Sequence, residues 1–300
     1  MTNDLNFLEL ERKKHLKYYY LNIVFNTLAL LMLGVPAIIF IVKISTSTIV
    51  IQDWPFITLM IGLLLMTGFF ILAYFENKKV REFKNLVFDS LAGEIIANIY
   101  TEEVIFETTK GLEKNEVLDS KFFTQPGRFK SSNLLSGQYH GVDFKMSDFL
   151  LWENGSNSNG DCAQGRMLII NVPTKRSLDI LVIEKGEGPF RKSSHQKKLV
   201  LADKQFSKKF NIYSEESTEV LNFLNPEMRQ AFLDIKNNFK GLIYFHLIEK
   251  FCYIAIIDNK KSLNFHMTHP LNRETINNLI PAFSVPKVFI KAFIANEQYN

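Results

Sequence analysis

Residues 18–42 read YYYLNIVFNTLALLMLGVPAIIFIV and residues 55–75 read PFITLMIGLLLMTGFFILAYF. Neither run contains an ionisable acidic, basic or imidazole side chain. A helix of about 25 residues, rising about 1.5 Å per residue, is longer than a hydrocarbon core of about 30 Å is thick, and one of about 20 residues matches it. Two such runs in tandem predict a transmembrane helical hairpin. A cleavable leader is a poor fit to the first run, which is too long and lacks a small-residue cleavage site before Lys43. Gly34 and Pro36 predict a kink, because Pro36 has no N–H to give the helix ladder.

The flanks set the orientation. Arg12, Lys13, Lys14 and Lys17 precede the first run, and Lys78, Lys79, Arg81 and Lys84 follow the second. The connection holds Asp53 and, at its start, the single base Lys43. Basic residues are retained on the cytoplasmic side, so both termini are expected in the cytoplasm of a cell bounded by an inner (plasma) membrane. Tyr18, Tyr19, Tyr20 and Trp54 stand where aromatic rings favour the membrane interface. The spans lack ionisable groups, so they read as an anchor, not an ion or proton path.

The remaining chain is long enough for a sizeable core. The net charge of +4 over 300 residues, much of it beside the membrane, does not suggest a nucleic-acid partner. The only cysteines, Cys162 and Cys252, are expected reduced in a cytoplasmic domain. Residues 1–17 are expected as a basic cytoplasmic N-terminus, with 2–17 able to continue as helix into the first span. After the second span Val80, Phe83, Val87, Leu91, Ile95 and Ile99 recur every three or four residues, predicting an amphipathic stalk over 76–100. Its apolar face needs either the following domain or a partner helix. The drift from a strict heptad after Leu91 favours the domain.

From residue 101 the period changes. Alternation predicts strands at 103–108, 134–139 and 142–152, the last two joined by a tight turn at His140-Gly141. A loop follows over 153–165, then strands at 166–172 and 178–183 about a turn at Pro173. A loop over 184–196 precedes strands at 198–202 and 210–213. Ser217-Thr218-Glu219 opens a short helix, and Asn225-Pro226-Glu227 caps a longer one with Pro226 at its first position. Strands at 242–247 and 252–257, a short strand at 263–267, and helices at 272–279 and 285–295 complete the chain. The expected fold is α+β: the hairpin, then a cytoplasmic domain over 101–300 with a largely antiparallel sheet and C-terminal helices, able to fold without its anchor.

No chemistry is legible. Gly186 and Gly188 precede no Lys-Ser/Thr helix start, so no phosphate loop is formed. His266 and His269 lie three apart without a further ligand at metal spacing. Cys162 has no basic neighbour to activate it. No cofactor, metal or catalytic residue is assigned. Candidate contacts to lipid or to an acidic partner are Arg12, Lys13, Lys14, Lys17, Lys78, Lys79 and Arg81 beside the membrane, and Arg191, Lys192, Lys197 and Lys198 in the domain.

Several short stretches carry a resemblance: Leu134-Leu135-Ser136-Gly137 with Gly141-Val142-Asp143-Phe144 and Ser147-Asp148; Phe206 to Phe210 with Asn211-Ile212-Tyr213-Ser214; Leu224-Asn225-Pro226-Glu227-Met228; and Cys252-Tyr253-Ile254-Ala255-Ile256. Their order resembles an uncharacterised bacterial membrane family, a domain of unknown function with a two-helix N-terminal anchor and a cytoplasmic domain. The chain departs from it around 166–175, where Met167-Leu168-Ile169-Ile170 replaces an aromatic-rich strand. The resemblance implies layout and transfers no catalytic residue.

The leading functional expectation is a membrane-anchored cytoplasmic binding or scaffold module, with membrane lipid and a protein as partners and with oligomerisation through hairpin or stalk open. The alternatives are a subunit of a membrane assembly and an enzyme with an unrecognised site in the α+β domain.

Overall fold

His140 and Gly141 both hold positive φ, 50° and 74°. A two-residue turn with that handedness matches the right-handed twist of its flanking strands, and it folds residues 128–152 into the long hairpin from which the sheet is built. The structure is a computed structural model. It describes residues 2–45, 54–123, 126–152, 162–172, 178–186, 197–215, 217–258 and 268–297.

In chain order the elements are helices α1 (Thr2–Ser45) and α2 (Trp54–Ile99), strand β1 (Val104–Glu107), helix α3 (Lys114–Leu118), and strands β2 (Arg128–Tyr139), β3 (Val142–Trp152), β4 (Cys162–Asn171), β5 (Leu178–Glu184) and β6 (Lys197–Leu199). Then come helix α4 (Lys204–Lys209), strand β7 (Phe210–Ser214), helices α5 (Ser217–Phe223) and α6 (Pro226–Asn238), strands β8 (Leu242–Glu249) and β9 (Phe251–Ile257), and helix α7 (Arg273–Glu297). The chain divides into two compact units, one of residues 1–87 and 265–273, the other of 88–264 and 274–300.

The first unit is a pair of antiparallel helices. Asn22 Nδ2 donates to the Ala73 carbonyl at 2.7 Å, Phe25 stacks on Phe69 at 6.0 Å, and His15 stacks on Phe83 at 4.7 Å. Ala29 and Ala73 are buried; small side chains let helix backbones approach closely. Helix α1 stays helical through Pro36. Glu9 Oε2 accepts the Leu271 N–H at 2.9 Å, fixing the segment before α7 to α1.

The second unit is α+β, around nine strands in the order β1-β2-β3-β4-β9-β8-β5-β7-β6. Every paired neighbour is antiparallel. One face is covered by helices. Phe232 of α6 is fully buried at the centre of an aromatic cluster, with ring centroids 5.1 Å from Phe245 of β8 and 5.4 Å from Phe289 of α7. Phe206 of α4 and Phe210 of β7 complete it. Among the described residues the opposite face is covered only in part. There Leu112, Val117 and Phe122, from α3 and its flanks, pack with Phe149, Leu151, Met167 and Tyr253. The Leu112 N–H reaches the Ser131 and Ser147 hydroxyls at 3.0 and 3.2 Å, holding this cover to β2 and β3.

Several local expectations change. Helix α7 is one helix, not two, although Pro281 and Pro286 lie inside it. Pro286 cannot pair with the carbonyl four residues back. That carbonyl, of Ala282, accepts Arg166 Nη1 at 3.0 Å instead. Beside it the Tyr100 hydroxyl donates to the next carbonyl, of Phe283, at 2.7 Å. Arg166 thus takes the carbonyl that Pro286 leaves open, and the helix continues. Strand β2 begins at Arg128, earlier than its apolar alternation indicates, because the polar run 128–132 pairs with β3 before a register shift at Asn133, whose φ is 61°. Cys162 opens β4 opposite Trp152 instead of lying in a loop. Helix α3 and helix α4 are new, the latter capped by Asp203 accepting the Phe206 N–H at 3.0 Å. Strand β6 is shorter than expected. The expected turn at Pro173, the strand at 263–267 and most of the loops at 153–165 and 184–196 lie outside the described residues.

Candidate binding groove and basic collar

Where the cover of α3 stops, the second sheet face is left open among the described residues. Paired residues in neighbouring antiparallel strands point to the same side. The row Ile105, Ser136, Lys145, Ile169, Tyr253 therefore lies on one face, with Gln138, Asp143, Asn171 and Phe251 two residues further along. All of these but Tyr253, which packs in the cluster under α3, floor a trough of about 790 Å³. Its apolar part is Ile105, Ile169 and Phe251; its rim is Glu102, Glu103, Glu116 and Asp143. Among the described residues Lys145 is the one cation lining it, and its Nζ lies 2.8 Å from Glu116 Oε1. Glu116 also accepts the Glu113 N–H at 2.8 Å, which fixes the first turn of α3. Glu102 accepts the His140 N–H at 2.7 Å and Asp143 accepts Gln138 Nε2 at 2.7 Å. Three of the four rim carboxylates are thus held in place while remaining partly wet. The field of neighbouring acids reaches Tyr253: burial first, then Asp119 and Glu116, push its hydroxyl up to about 12.

Gly137 keeps the β1 side of the trough tight, since a side chain there would come within 2.5 Å of the Glu103 carbonyl oxygen. Apolar area with a few fixed polar groups is the usual make-up of a binding cleft. Nothing in the sequence marked this one, because its residues come from five strands and a helix that are distant along the chain.

Two buried polar clusters lie elsewhere in the same unit. Arg166, 1% exposed, has Nε and Nη2 each 3.4 Å from Asp148 Oδ1, and Asn133 Nδ2 donates to Asp148 Oδ2 at 2.8 Å. Burial pushes the Asp148 carboxyl up in spite of Arg166 and Asn133, which pull it down. His246 is buried with Nδ1 2.9 Å from the Ser120 carbonyl and Nε2 2.8 Å from Asp179 Oδ1. Both ring nitrogens therefore have fixed partners, and the ring ties the segment after α3 to β5. Cys252 is fully buried, and burial pushes its thiol well up, away from reactivity. Among the described residues no three His, Cys, Asp or Glu side chains are grouped to hold a metal ion.

The basic candidates beside the hairpin fall into two kinds. Arg12 is buried and spent on Glu9, with Nε and Nη2 each 2.7 Å from its carboxylate oxygens. Lys14 pairs with Glu11 at 2.6 Å, Lys79 with Glu76 at 3.4 Å and Lys78 with Glu82 at 4.0 Å. Lys17 and Lys79 both lie over the Tyr18 ring, 4.8 and 4.4 Å from its centre. Lys13, Lys14 and Arg81 are exposed. Lys17 and Lys79 thus form a collar of two cations around Tyr18. In the domain, Lys197 and Lys198 are exposed on β6, an outer strand of the sheet, where lysines discourage pairing with other chains. Arg191 and Lys192 lie outside the described residues.

No curated protein matches this chain, and no solved structure does. A family model described as protein of unknown function (DUF3137) matches residues 162–293. The match runs from the first residue of β4 into α7; over the greater part of the sheet and its covering helices, this chain is similar to that family.

Proposed function

We propose that this chain is a membrane-anchored binding module, with α1 and α2 crossing the membrane as a hairpin and the α+β unit facing the cytoplasm as a scaffold for a partner. The observation that carries the reading is the outward face of the two helices. Leu30, Ile38, Leu64 and Tyr74 are 64%, 63%, 73% and 64% exposed, and Leu31, Ile71 and Phe75 are exposed as well. A contiguous apolar surface of this extent is not tolerated in water, and lipid covers it at no cost in lost polar contacts. Within the pair the Asn22 amide is satisfied by the Ala73 carbonyl. The cationic collar about Tyr18 sits where an interface of anionic head groups would meet it, each basic residue contributing about 1 kcal/mol.

One helix among the described residues, Arg273–Ala295, is long and apolar enough to cross a membrane, and half of it is buried. Its Phe283, Val285, Phe289 and Ile290 have no exposed surface. We read it as the core helix of the α+β unit.

The test is accessibility. Protease added to intact spheroplasts should leave the C-terminal unit whole and degrade it once the membrane is opened. Cleavage in intact spheroplasts would overturn the topology, and release of the chain by alkaline carbonate would overturn the anchor.

A further inference from the structure

We infer that the open trough on the second sheet face binds an extended polypeptide segment bearing Lys or Arg toward β1 and an apolar side chain toward β9. The inference deepens the reading of the α+β unit as a binding module and does not depend on the hairpin crossing a membrane.

Shape is the first argument. The lining runs across five neighbouring strands, β1, β2, β3, β4 and β9. At about 4.8 Å between strands this is roughly 19 Å, the length of about six extended residues at about 3.3 Å each. A single small amine would leave most of it empty.

Charge is the second. Among the described residues four carboxylates and one lysine line the trough, and that lysine is already paired with one of the four. The acids are not spread evenly. Glu102 and Glu103 stand at the β1 end and Asp143 at the middle, whereas Ile169 and Phe251 floor the β9 end. A cationic and then apolar segment satisfies both ends in one direction across the sheet. Complementary charge of this kind sets orientation and encounter rate as well as affinity. Glu103 and Asp143 are exposed, so a bound cation keeps part of its hydration and is not stranded in an apolar site.

The experiment uses the full chain in neutral-detergent micelles and fluorescence anisotropy of labelled hexapeptides. The probes are Lys-Arg-Lys-Ser-Leu-Phe and its reversed sequence, with Glu-Glu-Glu-Ser-Leu-Phe and Lys-Arg-Lys-Ser-Ser-Ser as controls. One of the two basic-apolar probes is expected to bind, and Glu103→Lys with Asp143→Lys to weaken it by about tenfold or more, with a marked salt dependence. The all-serine control is expected to bind more weakly; it reports on the apolar end without disturbing the fold. Phe251→Ser should reproduce that loss in the protein. The inference is overturned if the acidic hexapeptide binds equally well, if the two Lys substitutions leave affinity unchanged, or if spermine competes as strongly as the hexapeptide does. Protease protection in spheroplasts is read separately, so loss of peptide binding with a protected domain removes the trough assignment and leaves the anchor reading standing.

Discussion

Arg166 is the residue on which the second unit turns. It reaches Asp148 on β3 and, through Nη1, the carbonyl that Pro286 leaves open in α7. Removing one partner of a buried ion pair costs about 3–5 kcal/mol, whereas replacing both by apolar groups is often close to neutral. Arg166→Met is therefore expected to lower the urea midpoint sharply at neutral pH, and Arg166→Met with Asp148→Leu to recover much of the loss. The pH dependence has a definite sign. The folded carboxyl of Asp148 sits above its ordinary value of 3.8, so the folded state holds the proton more tightly. Its contribution falls as pH rises from that ordinary value through the folded one. Arg166→Met removes a group that pulls the carboxyl down, so the variant should be relatively more stable in acid than at neutrality. Urea midpoints at several pH values, followed by intrinsic fluorescence, check this. Glu9 carries the opposite sign. Its carboxyl is held below its ordinary value of 4.5, chiefly by the hydrogen bond from Arg12, with the Leu271 N–H also lowering it. Its contribution is present above that ordinary value and lost as pH falls through the folded one. Exchange of the Leu271 amide with deuterium, corrected for intrinsic rate, should speed up on acidification through that window, and Glu9→Gln should remove the step.

At the scale of elements, the apolar stripe of α2 is buried within a single chain: Val87 has no exposed surface and Leu91 is 2% exposed. A charge placed there is cut off from water. Val87→Asp and Leu91→Asp are each expected to lower the melting temperature without first changing the oligomeric mass. A fall in light-scattering mass at unchanged melting temperature would instead mean that this face is a seam between chains. The C-terminal end of α2 is tied down as well, since Lys287 Nζ donates to the Ile99 carbonyl at 2.8 Å. The Tyr100 hydroxyl holds the neighbouring turn of α7 through the Phe283 carbonyl. Tyr100→Phe removes that buried hydrogen bond, at a cost of about 1–3 kcal/mol, measurable by thermal melting.

At the scale of the molecule, the second compact unit begins at Phe88, within α2. Phe88, Leu91, Ala92, Ile95 and Ile96 are all buried. A fragment starting at residue 101 lacks these side chains and Tyr100. It is expected to be less soluble and less stable than one starting at residue 88, as size-exclusion chromatography and melting of the two would report. If both fragments behave alike, the last turns of α2 add nothing to the α+β core.

The sequence by itself determined what depends on neighbours along the chain. Two long uncharged runs specify two long helices, because every residue within them meets the same apolar requirement. His140-Gly141 specifies a turn by its backbone, and Asn225-Pro226 a helix start by a cap that accepts the Met228 N–H at 2.8 Å. The α+β class followed from those local signals. Only the tertiary structure decided that β9 lies beside β4 and β5 beside β8, since strand order is chosen by packing between segments far apart in sequence. It also joined the two expected C-terminal helices into one, because the group that takes the carbonyl freed by Pro286, Arg166, comes from elsewhere in the chain. The trough belongs to the same class: its carboxylates and apolar floor are ordinary residues one at a time, and their meaning arises when five strands set them side by side.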